Sequence, residues 1–416
     1  MSHRPGAGWL GACIALGLLL AVGSTAVRAQ DSEASAPRIS LLTFGPGEIY
    51  WQRFGHNALL VRDRSGRGGT VYNYGYFDFA QENFFQNFIF GRMQYRLATG
   101  RLDQTLSQYH YEGREVREQR LDLSPAQARA LETFLRWNAR PENADYRYDY
   151  FLEACSTRIR DALDRITGGA LQPLQQTPAR LTLREQVLRL TAPDPLLMLG
   201  LDLILGPAAD APRTLWEESF VPEVLEQALR GVQLPASEAL ESRSIVKSEH
   251  TLVARDPRRG AVLPPEDPPP LASAFLGAGL LWVALLLLAQ RYSRVAWAGL
   301  AGLQLLTAGA AGLIMVFITA ATAHWAGWYN LSAAFYNPLA WLALPAVWAA
   351  ARGRVLHRGH RALLWMLPAL AAVGLFAPLW QDNLHHALFW LPAHLALAWS
   401  ALRMARQHPP HATAAA

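Results

Sequence analysis

Polar and apolar residues divide the chain in two. Between about Gln30 and Asp267, charged and apolar positions interleave at strand and helix periods. Beyond Asp267 the one acidic residue is Asp382, and no charged side chain occurs from Val295 to Ala351. About 20 consecutive apolar residues suffice to cross a bilayer as a helix. The pattern predicts five such spans: Leu271–Gln290, Val295–Ala320, Leu331–Ala351, Ala362–Trp380 and Leu384–Leu402. At the amino end, Arg4, the apolar run Leu10–Gly23 and the small-residue site Val27-Arg28-Ala29 read as a secretory signal, with an uncleaved anchor as the alternative.

The polar half carries strand and helix signals in turn. Ile39–Phe44 is a short strand closed by Gly45-Pro46-Gly47, and His56–Val61 with Thr70–Gly75 make a hairpin across a polar turn. Glu115–Leu123 is a further strand. Ser124-Pro125-Ala126-Gln127 combines a serine cap, proline at the first helical position and a capping-box glutamine, so a helix should run to about Asn138. A second helix should begin at or next to Cys155, carry Ile159, Ala162, Leu163 and Ile166 on one face, and stop at Gly168-Gly169. The expected organisation is a signal peptide over residues 1–29, an α+β domain over 30–232, a stiff proline-rich tether over 233–270, a membrane domain over 271–402 and a tail over 403–416.

Charge sets the orientation. Arg291 and Arg294 follow the first expected span, Arg352, Arg354, Arg358 and Arg361 separate the third from the fourth, and Arg403 and Arg406 follow the fifth. The other two connections carry no Lys or Arg. Positive loops stay cytoplasmic, which puts residues 30–270 outside and the C-terminus inside a bacterial cytoplasmic membrane, in agreement with the signal segment. The net charge of +5 is therefore largely topological arginine, and an exported domain has no nucleic acid to bind.

The chain has two cysteines, and Cys13 lies in the leader, so an exported Cys155 has no disulfide partner. Such a thiol is either packed as a small hydrophobe or used. A helix start and a nearby base favour the thiolate. Arg158 and Arg160 add positive potential there, partly offset by Glu153 and Asp161. His56, beside small Gly55 and Ala58, is the natural base, and Asn73 the best candidate to orient it, with Tyr72 and Asp78 behind it. Each also has a purely structural reading. The aromatic run Tyr72–Phe79, continuing through Phe84, Phe85, Phe88 and Phe90, is core or an apolar groove. His324, Asn330, Asn337, Asp382, Asn383, His385 and His386 face the same side as Cys155, as accessory groups or as interface anchors. No metal-ligand spacing occurs, and no cofactor is implied.

The segments Phe54-Gly55-His56-Asn57-Ala58, Tyr72–Phe79, Gly113-Arg114-Glu115-Val116, Tyr148-Asp149-Tyr150-Phe151 and Cys155–Asp161, in that order, resemble the exported N-terminal domain of the Lnb family of bacterial lipoprotein N-acyltransferases. One departure is Ala154, where the family pattern has asparagine. The resemblance implies a permuted papain-like thiol fold with His56 and Cys155 as the catalytic pair, a phospholipid acyl donor and a diacylglyceryl lipoprotein acceptor. Two other readings stand beside it: a thiol amidase or peptidase acting on cell-wall peptide, and a non-catalytic membrane-linked binding module. The acyltransferase predicts an apolar path from Cys155 toward the membrane, the amidase a polar cleft, and the binding module a cysteine and histidine that do not meet.

Overall fold

The computed structural model describes residues 36–63, 66–236 and 241–406; the expected signal segment and residues 407–416 of the expected tail lie outside the described residues. The architecture is α+β followed by a helical domain. Strands β1 (Arg38–Phe44), β2 (His56–Arg62), β3 (Gly69–Tyr76), β4 (Gln94–Arg101), β5 (Val116–Leu121) and β6 (Asp145–Arg147) pair antiparallel in the order β6-β4-β3-β2-β1-β5. The two-residue strands β7 (Gln233–Leu234) and β8 (Arg243–Ser244) form a separate pair, and β9 (Val246–Val253) extends the large sheet beside β5.

Period-two alternation gives the sheet two apolar faces. Leu41, Leu59, Tyr72, Tyr74, Tyr95 and Leu97 face helices α3 (Pro125–Asn138), α4 (Cys155–Thr167) and α7 (Pro222–Gly231), which contribute Leu131, Leu135, Ile159, Leu163, Leu225 and Leu229. Leu42, Phe44, Ala58, Leu60 and Val71 face the other way, against Leu102, Leu106 and Tyr109 of α2 (Leu102–Tyr111). Helix α3 starts at the expected capping box, with Gln127 N donating to Ser124 Oγ and Ser124 N donating to Gln127 Oε1. Helix α4 ends on Gly168 in the left-handed conformation.

Two expectations need correction. Residues 233–270 are not a tether throughout, because β9 pairs with β5 over most of its length. Only the segment from Pro264 to Pro270 is proline-rich, and β9 upstream of it has half its positions exposed, with no period-two alternation of apolar residues to mark it as a strand. The third expected span, Leu331–Ala351, is broken into the turns Leu331–Ala334 and Pro338–Ala343 and the short α10 (Leu344–Ala351). Asn330 and Asn337 accept from the amides of Ser332 and Leu339, and Pro338 and Pro345 bring no amide, so the chain is capped and turned where hydropathy alone reads a helix. Among the described residues, three helical stretches are long and apolar enough to cross a bilayer: α8 (Ala272–Tyr292), α9 (Arg294–Ala321) and Arg358–Leu379, of which α11 (Arg358–Val373) is the α-helical part. Helix α12 (Leu384–Arg406) is as long but carries His385, His386 and His394.

The two domains meet through α1 (Phe84–Ile89), α5 (Leu183–Thr191) and α6 (Pro195–Ile204). Across this seam Ala323 N donates to Phe90 O at 2.9 Å and Gly206 N to Ala326 O at 2.7 Å. Gly91 and Gly206 permit this approach, since a Cβ on Gly206 would stand 2.4 Å from Trp328 O.

Candidate active site

Gly55 sets the start of β2. Its φ of +75° and the 2.8 Å separation of any added Cβ from Phe44 O leave room for glycine only. His56 follows at the strand edge, its ring stacked on Phe44 at 5.5 Å. On the adjacent strand Asn73 Oδ1 lies 3.3 Å from His56 Nε2. If that nitrogen carries the proton, Nδ1 is left able to accept one.

Cys155 is the first residue of α4, partly accessible, and reduced. Burial pushes its thiol pKa up, but the charge of His56, a hydrogen bond from it, the Asn57 backbone amide and Ser156 together bring it down to about 7. His56 is thus near enough to Cys155 to influence its thiol, and Asn73 contacts the same imidazole at Nε2. A bulge in β3 between Asn73 and Tyr76 puts Gly75 over the thiol, where an added Cβ would lie 3.8 Å from Cys155 Cβ. The N-cap residue Ala154 has no side-chain acceptor, so the amides of the first turn are not drawn onto a cap.

Two participants escaped the sequence reading. Asn57 is wholly buried, donates to Thr43 Oγ1 at 3.0 Å, and accepts from Ser156 Oγ at 2.9 Å, which ties the histidine strand to the cysteine helix. Its polar character inside an otherwise apolar strand was the available signal. Tyr146, in β6, is buried, and its hydroxyl, beside the Gly75 backbone, has no well-formed hydrogen bond among the described residues. That hydroxyl lies, like Cys155 Cβ, within 4 Å of the point a Gly75 Cβ would occupy. Burial, and then the Cys155 charge, push its pKa well above the usual phenol value, so it stays a donor.

The expected accessory residues have other duties. Arg158 pairs with Glu153 at 3.2 Å and lies over the Tyr146 ring at 4.4 Å. His324 Nε2 contacts Phe88 O at 3.0 Å and its ring stacks on Tyr150. Asn330 donates to Leu203 O and Leu205 O. His385 Nε2 lies 2.6 Å from Asp202 Oδ2. These last three bind the seam and leave the thiol alone. The outer loop of the membrane domain nevertheless reaches the site indirectly. Trp325 Nε1 donates to Asp149 Oδ2, while Asp149 Oδ1 accepts from the amides of Phe151 and Leu152 in the loop leading to Cys155.

The fold also gathers what sequence spacing kept apart. The donor atoms of Asp202, His385 and His386 lie within 4.8 Å of one another, a set able to hold a metal ion. Asp202 Oδ1, however, already accepts from Arg184, which is itself fully buried and paired with Asp210. Its carboxyl is held well below the usual range; burial opposes this, and the two histidines and Arg184 outweigh it. The group reads as a charge lock between the domains. A cleft of about 460 Å³ lined by Ala170, Leu174 and Leu215 carries no ionisable group.

Residues 26–187 match the family described as the Lnb N-terminal periplasmic domain, and residues 269–407 match the Lnb transmembrane domain. No curated protein and no solved structure matches the chain.

Proposed function

The chain belongs to the Lnb family and is an inner-membrane protein with a periplasmic domain, and from that premise we propose that it is a cysteine-dependent acyltransferase that N-acylates lipoproteins with a phospholipid-derived chain. The observation that carries the reading is Cys155 at the start of α4 beside His56 at the start of β2: against burial, His56, the Asn57 amide and Ser156 bring the thiol pKa to about 7, and Asn73 Oδ1 contacts the imidazole. A thiolate–imidazolium pair at neutral pH is a ready nucleophile with its acid alongside.

In the first step the Cys155 thiolate attacks the ester carbonyl carbon of the phospholipid. The C–S bond forms, the ester C–O bond breaks, and the His56 imidazolium protonates the departing lysophospholipid oxygen. In the second, the free α-amine of a diacylglyceryl-cysteine attacks the thioester. The C–N bond forms, the C–S bond breaks, and the amine proton passes to His56, which restores the starting pair. Both steps place negative charge on the acyl oxygen. The Tyr146 hydroxyl and the amides at the start of α4 are the donors from which that oxygen would accept hydrogen bonds. The five-span topology with a cytoplasmic C-terminus belongs to this proposal, as does the permuted papain-like description of the thiol domain. Base, orienter and nucleophile occur in that chain order on two sheet strands and a helix start.

The test is intact-protein mass spectrometry of the membrane-purified chain, with and without neutral hydroxylamine, beside Cys155→Ala. A hydroxylamine-labile fatty acyl mass on the wild type and not on the variant is expected. Its absence, with Cys155 unreactive toward a thiol probe in the folded protein, would sink the reading.

A further inference from the structure

Helix α1 presents an apolar surface that the other described residues leave uncovered. Phe85 is 67% exposed, Ile89 50% and Phe88 39%, and Phe79, stacked on Phe85, is 46% exposed. A contiguous exposed patch of aromatic and aliphatic side chains of this kind marks a contact surface.

Its position identifies the partner. The residue following the helix, Phe90, packs its ring on Phe317 of α9 at 5.8 Å, and its carbonyl accepts from Ala323 N just beyond the end of α9. His324 adds its contact to Phe88 O. Helix α9 begins at Arg294, and Phe317 stands about 35 Å along it at about 1.5 Å per residue. The hydrocarbon core is about 30 Å thick. With Arg294 at the inner boundary, Phe317, and therefore α1, sit at the level of the outer headgroups. Aromatic residues favour this zone.

From the patch a run of stacked rings, two of them buried in the core of the sheet, leads inward. Phe84 stacks on Phe77 at 5.9 Å, Phe77 on Tyr95 at 5.0 Å, and Tyr95 on Tyr148 at 4.3 Å. Tyr148 and Cys155 then flank Gly75. We propose that α1 and Phe79 insert into the outer leaflet as an interfacial wedge, and that the run of rings behind them guides a lipid acyl chain from the bilayer to Cys155. Insertion stands on the geometry of α1 and α9; delivery to the thiol rests on the acyltransferase reading.

The experiment uses the full chain in vesicles of phosphatidylethanolamine and phosphatidylglycerol. With Cys13 and Cys155 replaced by serine, Phe85→Cys, and separately Ile89→Cys, is labelled with a fluorophore and exposed to iodide and to nitroxide-bearing lipids. Quenching by the lipids and protection from iodide are expected; the reverse pattern at both positions overturns insertion. In the otherwise unaltered chain, Phe85→Asp should lower the hydroxylamine-labile acyl adduct on Cys155 at least about tenfold, since a charge is costly at that depth. Alkylation of Cys155 by a water-soluble reagent should not change, which shows the variant folded. An undiminished adduct overturns delivery. A wild type that forms no adduct defeats the acyltransferase reading and delivery together, while the quenching still decides insertion.

Discussion

The His56–Cys155 pair is defined by opposing effects on one sulfur. Burial raises the thiol pKa, and His56 with its neighbours lowers it further, to about 7 against about 8.5 for an unperturbed cysteine. Because the folded value is depressed, reactivity is present above pH 7 and lost as pH falls through about 7. The alkylation rate of Cys155 followed against pH should therefore have its midpoint near 7 in the wild type. In His56→Ala the burial effect is left unopposed by the imidazole, so the midpoint should move above about 8.5 and the rate at neutral pH fall at least about tenfold. Tyr146→Phe separates a second role. The midpoint should stay in place, while acyl-adduct formation slows about 100-fold if the hydroxyl serves the oxyanion. His56 and Cys155 were legible in the sequence because each stood at the start of a clear element. Tyr146 was not, since its three-residue strand carries no periodic signal and the burial of its hydroxyl exists only in three dimensions.

At the level of elements, two glycines hold the site for different reasons. Gly55 and Gly75 both have positive φ, +75° and +84°. An added Cβ at Gly75 meets its neighbours at 3.7–3.9 Å, an ordinary contact, whereas at Gly55 it meets Phe44 O at 2.8 Å. Gly75→Ala should thus cost only the backbone penalty, about 1–2 kcal/mol. Gly55→Ala must also displace the β1 backbone opposite His56, and should lower the melting temperature more. Equal shifts in a thermal unfolding series of the two variants would contradict this. The hairpin, the capped α3 and the start and stop of α4 followed from turn chemistry and caps, which act locally. Strands β4 and β9 did not, because half their positions are exposed and their pairing is decided by β3 and β5. The broken third span failed for a related reason. Hydropathy measures what an apolar segment tolerates, while Asn330, Asn337 and two prolines decide its backbone.

The whole molecule behaves as a thiol domain seated on its membrane domain by buried charge. Arg184 directs its donors to Asp202, Asp210 and the carbonyl of Leu205, and Asp202 turns its second oxygen to His385 and His386 of the membrane helix. None of this was visible in a linear reading, where Asp202 and His385 are separated by nearly half the chain and His385 looked like an interface anchor. Breaking a buried pair from one side leaves an uncompensated charge and costs about 3–5 kcal/mol. Exposed pairs such as Arg96–Asp145 contribute about 0–1 kcal/mol. Asp202→Asn should therefore lower the unfolding temperature markedly, and Arg96→Ala barely. The functional consequence follows from which groups cross the seam. His56, Asn73 and Cys155 all belong to the thiol domain, so Asp202→Asn, assayed below its melting point, should leave alkylation by a soluble reagent within about twofold of wild type. Under the proposed acyltransferase reading, acyl transfer from vesicles would need α1 held at the bilayer and the Trp325–Asp149 contact, and should fall much further. A parallel fall in both rates would mean that the lock shapes the thiol itself rather than its approach to the membrane.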